Sequence, residues 1–231
     1  MLTQRPEHLT EVMDETHVSA EDLRATLRFI RWVNRYLGGT RVMLRQLDTL
    51  TAGQTGPSLT IADIATGSGD IPAALLRWAR RKSLPVRIVG LDIHSGTLGF
   101  AQRWTDSAQI NYVQADALHV PLADNSVDFA LCGLFLHHLR EPQVLAVLRE
   151  MLRISRRGIV VSDLLRERWA LRSIRVLTLF SRKAVSHDST VSVMKGWQRD
   201  EVEAWTRALG TPWLQYRQEP FSRFTLAGIR P

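Results

Sequence analysis

The chain has 231 residues, with 30 Lys and Arg against 23 Asp and Glu for a net charge of +7, 45% apolar residues and a single cysteine. That length suits one α/β domain with an appendage better than two cores, and Cys132 alone excludes an internal disulfide framework. No Cys/His cluster has structural-zinc spacing, so no metal is expected, and no run approaches the ~20 apolar residues of a membrane-spanning helix. The N-terminus has no apolar signal core, and a reduced, cytoplasmic setting is the expectation. The positive charge is spread among arginines rather than gathered in lysine blocks, which permits nucleic acid as a partner without arguing for it.

Residues 1–18 are polar and mixed, and are expected to be only partly ordered. Ser19 with Asp22 three residues on resembles a capping box. Leu23, Leu27, Ile30, Val33 and Leu37 then recur at helical spacing until Gly38 and Gly39 end the run. Thr40 can cap a second helix reaching Leu50, and TAGQTGPS (51–58) reads as a loop.

From residue 59 the period changes. LTIADIA (59–65) is a short apolar run ending in TGSGD, and a helix follows from Pro72. VRIVGLDI (86–93), INYVQADA (110–117), VDFALCG (127–133) and RRGIVVSDL (156–164) read as four more strands, with helices over roughly 95–105 and 141–152 between them. This alternation means βαβ units and a parallel sheet covered on both faces. The arginine-rich stretch 164–185 is an amphipathic helix or pair of helices, and Trp197–Leu209 is another, stopped by Gly210. The last two strands, WLQYRQ and SRFTLAGIR, leave no room for a helix between them and must pair antiparallel.

DIATGSGD (63–70) lies where a strand hands over to a helix, the crevice at which open α/β sheets bind ligands. The dinucleotide fingerprint fails in both registers, because Ala65 and Asp70, or Pro72, stand where glycines are required. The phosphate loop fails too, since no Gly-Lys-Ser/Thr follows. Asp92 ends the second strand and can accept both hydroxyls of a ribose, while Asp116 ends the third and can accept from an adenine amino group. A close-approach loop without a phosphate cradle, plus two such carboxylates, suits an adenosyl ligand lacking phosphates better than NAD or ATP.

The order DIATGSG, LDI, ADALHVPLADNSVDFALCGLFLHHL resembles the class I S-adenosylmethionine (SAM)-dependent methyltransferases, closest in pattern to the ubiquinone and menaquinone biosynthesis group. The resemblance runs from about Thr60 to Leu164. It implies a Rossmann-like, seven-stranded, mostly parallel sheet with an antiparallel C-terminal hairpin. It also implies SAM as cofactor, with S-adenosylhomocysteine as product. Carried over residue by residue, Asp63 fixes the loop, and Ala65, Gly67 and Gly69 face the methionine part. Asp92 holds the ribose, Ile93 packs on the adenine, Asp116 and Ala117 meet its amino edge, and Leu134 flanks the methyl group. Ala65 stands where the family often has Gly. The expected organisation is a helical lid segment over 1–58 and a methyltransferase domain over 59–231, with a helical lid insertion at 164–196.

A phenol or enol must lose its proton to attack well, and histidine suits that work near neutrality. His137 and His138, in LFLHHL after the fourth strand, are the candidate bases, with His138 preferred; the bland alternative is that one of them braces the following turn. His187-Asp188 is a weaker candidate, and Arg35, which might otherwise reach the cofactor's carboxylate, reads as a solvated arginine. The apolar face of 166–183, with Trp169, Leu171, Ile174, Leu177 and Phe180, suits a substrate lid, a partner chain or peripheral membrane contact.

These readings converge on methyl transfer to an oxygen or carbon of a small aromatic, quinone or polyketide-like acceptor, by a monomer or homodimer. The alternatives are an RNA or protein methyltransferase and a catalytically inactive SAM-binding partner subunit. Nucleic acid is disfavoured because the aromatics are not interleaved with basic residues as stacking platforms.

Overall fold

The computed structural model describes residues 5–14, 18–52, 58–105 and 108–231. Most of the loop expected at 51–58 lies outside these, only Thr51, Ala52 and Ser58 being described. Ser19 does cap the first helix, α1 (Ala20–Tyr36): its hydroxyl accepts the Asp22 amide at 3.0 Å. The second helix, α2 (Gly39–Leu50), starts one residue before Thr40. Gly38 takes the left-handed backbone, φ 82°, that lets two helices meet without a linker.

Seven strands alternate with the remaining helices. In chain order they are β1 (Leu59–Ile64), α3 (Asp70–Arg81), β2 (Val86–Asp92), α4 (Ser95–Thr105), β3 (Ile110–Gln114), β4 (Val127–Gly133), α5 (Glu141–Ile154) and β5 (Ser155–Leu164). Helices α6 (Arg168–Leu177), α7 (Lys183–Lys195) and α8 (Arg199–Leu209) follow, then β6 (Gln215–Glu219) and β7 (Arg223–Ile229). The sheet order is β3-β2-β1-β4-β5-β7-β6; β1 to β5 are mutually parallel and β7 runs antiparallel to both β5 and β6. This is the Rossmann-like topology expected from the strand spacing.

The inner strands bury residues on both faces with a period of two, as a sheet covered on both sides must. On β1 and β4, Ala62, Ile64, Ala130 and Cys132 pack with α5 and α8, while Ile61, Phe129 and Leu131 pack with α2 and α3. Chain order reverses between β1 and β4, so the loops leaving their C-terminal ends diverge and open a crevice there. The arginine-rich stretch forms two helices, α7 packing against α6 and α1. No helix of the described residues is long and apolar enough to cross a membrane.

The N-terminal segment is more ordered than its polar composition suggests. Residues 5–14 dock on the domain through Arg5, whose guanidinium donates to the carbonyls of Lys195 (2.7 Å), His137 (2.5 Å) and Leu139 (2.7 Å) and lies 4.0 Å above the Trp197 ring. Asp188 accepts the amides of Val12 (2.7 Å) and Met13 (3.3 Å), so tertiary hydrogen bonds replace the apolar periodicity that the segment lacks.

Candidate active site

The loop after β1 is held from beneath. Asp63 is fully buried; one carboxylate oxygen accepts the Thr66 hydroxyl at 2.7 Å and the other has no hydrogen-bond partner. Burial pushes its pKa up to about 8, the Thr66 bond opposing the rise only in part. Asp63 thus fixes the loop without facing the crevice. Ala65, Gly67 and Gly69 all take positive φ, at 54°, 54° and 72°. For Ala65 that backbone is costly, and glycine there would relieve it.

Gly67 and Gly69 do different work. A Cβ on Gly67 would meet only the Ala65 carbonyl, at 4.0 Å, so its bare backbone faces open space. A Cβ on Gly69 would lie 2.4 Å from the Tyr112 hydroxyl, and Gly69 does not line the cavity. This glycine allows close packing against Tyr112 of β3.

Asp92, at the end of β2, clasps the loop. Its carboxylate accepts the amides of Gly67 and His94, each at 3.0 Å. Burial raises its pKa, and the two amides pull it back. Asp116 accepts the Leu118 amide at 2.9 Å in a tight turn and remains half exposed. Ile93 sits on the rim, with Ala117 and Leu134 further in; Leu134 takes φ 53° and donates its amide to the Ser162 carbonyl. Ala65, Gly67, Asp92, Ile93, Asp116, Ala117 and Leu134 all line one cavity of about 910 Å³.

The same cavity continues to the two histidines. His137 is buried, its Nδ1 2.6 Å from Asp163 Oδ1; His138 is 14% exposed, its Nδ1 2.7 Å from Asp14 Oδ2. Burial would lower the His138 pKa, but the carboxylates of Glu11 and Asp14 overcome it and raise it to about 9. The far wall carries Trp169, Ile174 and Leu177 of α6 and Phe221 of the β6–β7 turn. His187 instead points to the Thr10 carbonyl at 3.1 Å and does not line the cavity, and Arg35 lies over the Tyr36 ring.

Sequence reasoning missed several lining residues. Arg223, at the start of β7, is 1% exposed and lines the cavity, and its Nε and Nη1 have no hydrogen-bond partner. Burial lowers its pKa to about 10, which leaves it charged at neutrality. Arg31, outside the cavity lining, supports the loop by donating to the Ser68 carbonyl at 3.1 Å and stacks 3.7 Å over Trp104. Glu11 and Asp14, from a segment with no motif, reach the histidines. Only Asp163 carried a signal, as the aspartate near the end of the fifth strand.

A bare-backbone loop, an acidic residue closing β2 and the β1/β4 crevice are the features expected of a class I SAM-binding fold. The donor set suits that cofactor: a carboxylate able to accept hydroxyls, glycine backbone without a phosphate cradle, and a buried guanidinium whose Nε and Nη1 have no partner.

The methyltransferase domain family model matches residues 62–161, a little under half of the chain. The chain is 33% identical over 100 residues to a demethylmenaquinone methyltransferase of Bacillus licheniformis, covering 43% of this chain and 41% of that one. It is 35% identical over 97 residues to a 2-phytyl-1,4-naphtoquinone methyltransferase of Thermosynechococcus vestitus, covering 41% and 40%. The chain thus spans under half the length of these curated relatives. In fold it is similar to the plantazolicin methyltransferase in complex with S-adenosylhomocysteine (TM-score 0.66, 15% identity, 91% and 93% covered). It is also similar to the magnesium protoporphyrin IX methyltransferase of Synechocystis PCC 6803 (TM-score 0.59, 14% identity, 95% and 91% covered).

Proposed function

We propose that this protein transfers a methyl group from SAM to an oxygen or carbon of a small aromatic, quinone or polyketide-like acceptor. The observation that carries this reading is the single cavity joining the Gly67–Asp92 clasp to the His137–His138 wall. Asp92 holds the ribose, Ile93 and Ala117 flank the adenine beside Asp116, and Arg223 takes the cofactor's carboxylate. When bound, SAM supplies an electrophilic sulfonium methyl. The chain's own contribution is to align the acceptor with that end of the cavity and to exclude water, and positioning of this kind is worth up to ~7–11 kcal/mol.

His137 and His138 act on the acceptor oxygen. Asp163 orients the His137 ring through Nδ1, as a carboxylate does for a general base. His138, with its raised pKa, is the group to hold the negative oxygen once the proton has left. Trp169, Ile174 and Leu177 give the acceptor an apolar bed, in keeping with the quinone named for two relatives. Residues 1–58 and 164–196 act together as the lid: Arg182, before α7, pairs with Glu21 (2.6 Å) and Asp22 (2.8 Å) of α1.

Titration calorimetry with SAM, S-adenosylhomocysteine and NADH tests the cofactor site. Mass spectrometry of phenols, hydroxyquinones and polyketides incubated with protein and SAM tests the transfer. Saturable binding of the first two ligands and the gain of one methyl by an acceptor are expected; binding of NADH alone overturns the reading.

A further inference from the structure

Glu11, His137 and His138 meet at the cavity wall although 126 residues separate the first two. One oxygen or nitrogen from each lies within 4.8 Å of the others. His137 Nε2 is 3.6 Å from Glu11 Oε1, and His138 Nε2 is 3.8 Å from Glu11 Oε2. Glu11 and His137 are each only 2% exposed. Ser192 donates to Glu11 Oε1 at 2.8 Å and keeps that carboxylate turned toward the rings.

The opposite edges of both rings are engaged as well. Asp163 takes His137 Nδ1 at 2.6 Å, and Asp14 takes His138 Nδ1 at 2.7 Å. A carboxylate at Nδ1 holds a proton there, so a ring that gives up its Nε2 proton to an incoming cation becomes a stronger ligand, the arrangement found behind metal-bound histidines. Two such rings aim their Nε2 atoms at one buried carboxylate. Three carboxylates thus contact the two imidazoles; Lys195 faces the cluster as well, but its ammonium is spent on the His138 carbonyl at 3.3 Å.

We propose that Glu11, His137 and His138 form a binding site for a divalent first-row transition cation of the zinc type. Two imidazoles and a carboxylate are the three-ligand set of open zinc centres, whereas magnesium and calcium prefer all-oxygen sets. Ligands ~2.0–2.1 Å from a tetrahedral ion lie about 3.3 Å apart, so a set whose atoms all fall within 4.8 Å of one another reaches coordination by side-chain rotation, with the rings already 3.6 and 3.8 Å from the two Glu11 oxygens. All three ligands line the cavity. An acceptor oxygen completing the coordination sphere would be fixed beside the cofactor; that role rests on the methyl-transfer reading, whereas cation binding does not.

The test uses the full chain, untagged and stripped with chelator, titrated with Co²⁺ and followed by its visible absorption, then with Zn²⁺ in competition. One equivalent of Co²⁺ giving the intense bands of a four- or five-coordinate site, displaced by Zn²⁺, is expected. Glu11→Gln and His138→Ala should each weaken binding at least ~10-fold, and Asp163→Asn, which keeps an oxygen for the Phe135, His137 and Leu164 amides but alters the partner of His137 Nδ1, by about 10-fold. Absence of those bands in the wild-type chain overturns the proposal and leaves a proton-bridged His–Glu cluster; so does binding that the variants do not change. SAM calorimetry on the stripped protein reports the cofactor site separately, so failure of one reading is not mistaken for failure of the other.

Discussion

Asp92 is the most informative position to perturb, because its carboxylate closes the loop and lines the cavity at once. Its two oxygens accept the Gly67 and His94 amides at 3.0 Å, and the same carboxylate lines the cavity where a ribose would lie. Asp92→Ala removes the charged acceptor. Hydrogen bonds to a charged group are worth about 1.5–3 kcal/mol, so SAM affinity should fall roughly 10- to 150-fold. The two backbone amides lose their partner too, and a Tm lower by a few degrees should accompany the change. Calorimetry with SAM gives the first quantity and thermal denaturation of the ligand-free chain gives the second. A variant that is folded, with lowered Tm and unchanged SAM affinity, would refute the placement of the ribose while leaving the loop clasp intact.

Asp63→Asn should make stability less dependent on pH. The Asp63 folded pKa of about 8 lies above its unfolded value near 3.8, so its contribution is fully present below pH ~3.8 and is lost as pH rises to 8. Across that window the wild type should lose up to about 1.4 kcal/mol per pH unit relative to the variant, whose amide oxygen still accepts from Thr66. Urea unfolding of both proteins at pH 5 and pH 8 checks this, and parallel profiles would contradict it. Arg223→Met removes unsatisfied donors from the cavity and should weaken SAM at least ~10-fold by calorimetry, from the loss of a charge-assisted pair; unchanged affinity would move this guanidinium to the acceptor. Gly69→Ala puts a methyl 2.4 Å from the Tyr112 hydroxyl in a left-handed backbone, and should cost about 2–3 kcal/mol in chemical denaturation.

Much of the architecture is legible in the chain because it is locally encoded. Apolar runs at 59–65, 86–93, 127–133 and 156–164 cannot be exposed, and the helices between them leave the parallel sheet as the way to cover both faces. Ser19 and Asp22 marked the start of α1 by hydrogen bonds within one turn. Thr40 misled, since Gly38 in a left-handed conformation starts α2 without a side-chain cap. Gly67 and Gly69 look alike in sequence, and only their neighbours tell the open backbone of one from the close packing of the other.

The sequence by itself determined the sheet, its closing hairpin and the cofactor loop, since each depends on residues close along the chain or on periodic burial. Only the tertiary structure decided what the cavity offers an acceptor. Glu11 reaches His137 across 126 positions, Asp163 backs that histidine from β5, and Arg223 enters from the last strand, each placed by docking of distant elements rather than by local preference. A polar N-terminal segment carries no periodicity because hydrogen bonds from Arg5 and to Asp188, not an apolar face, hold it in place; such bonds become visible only when both partners are brought together.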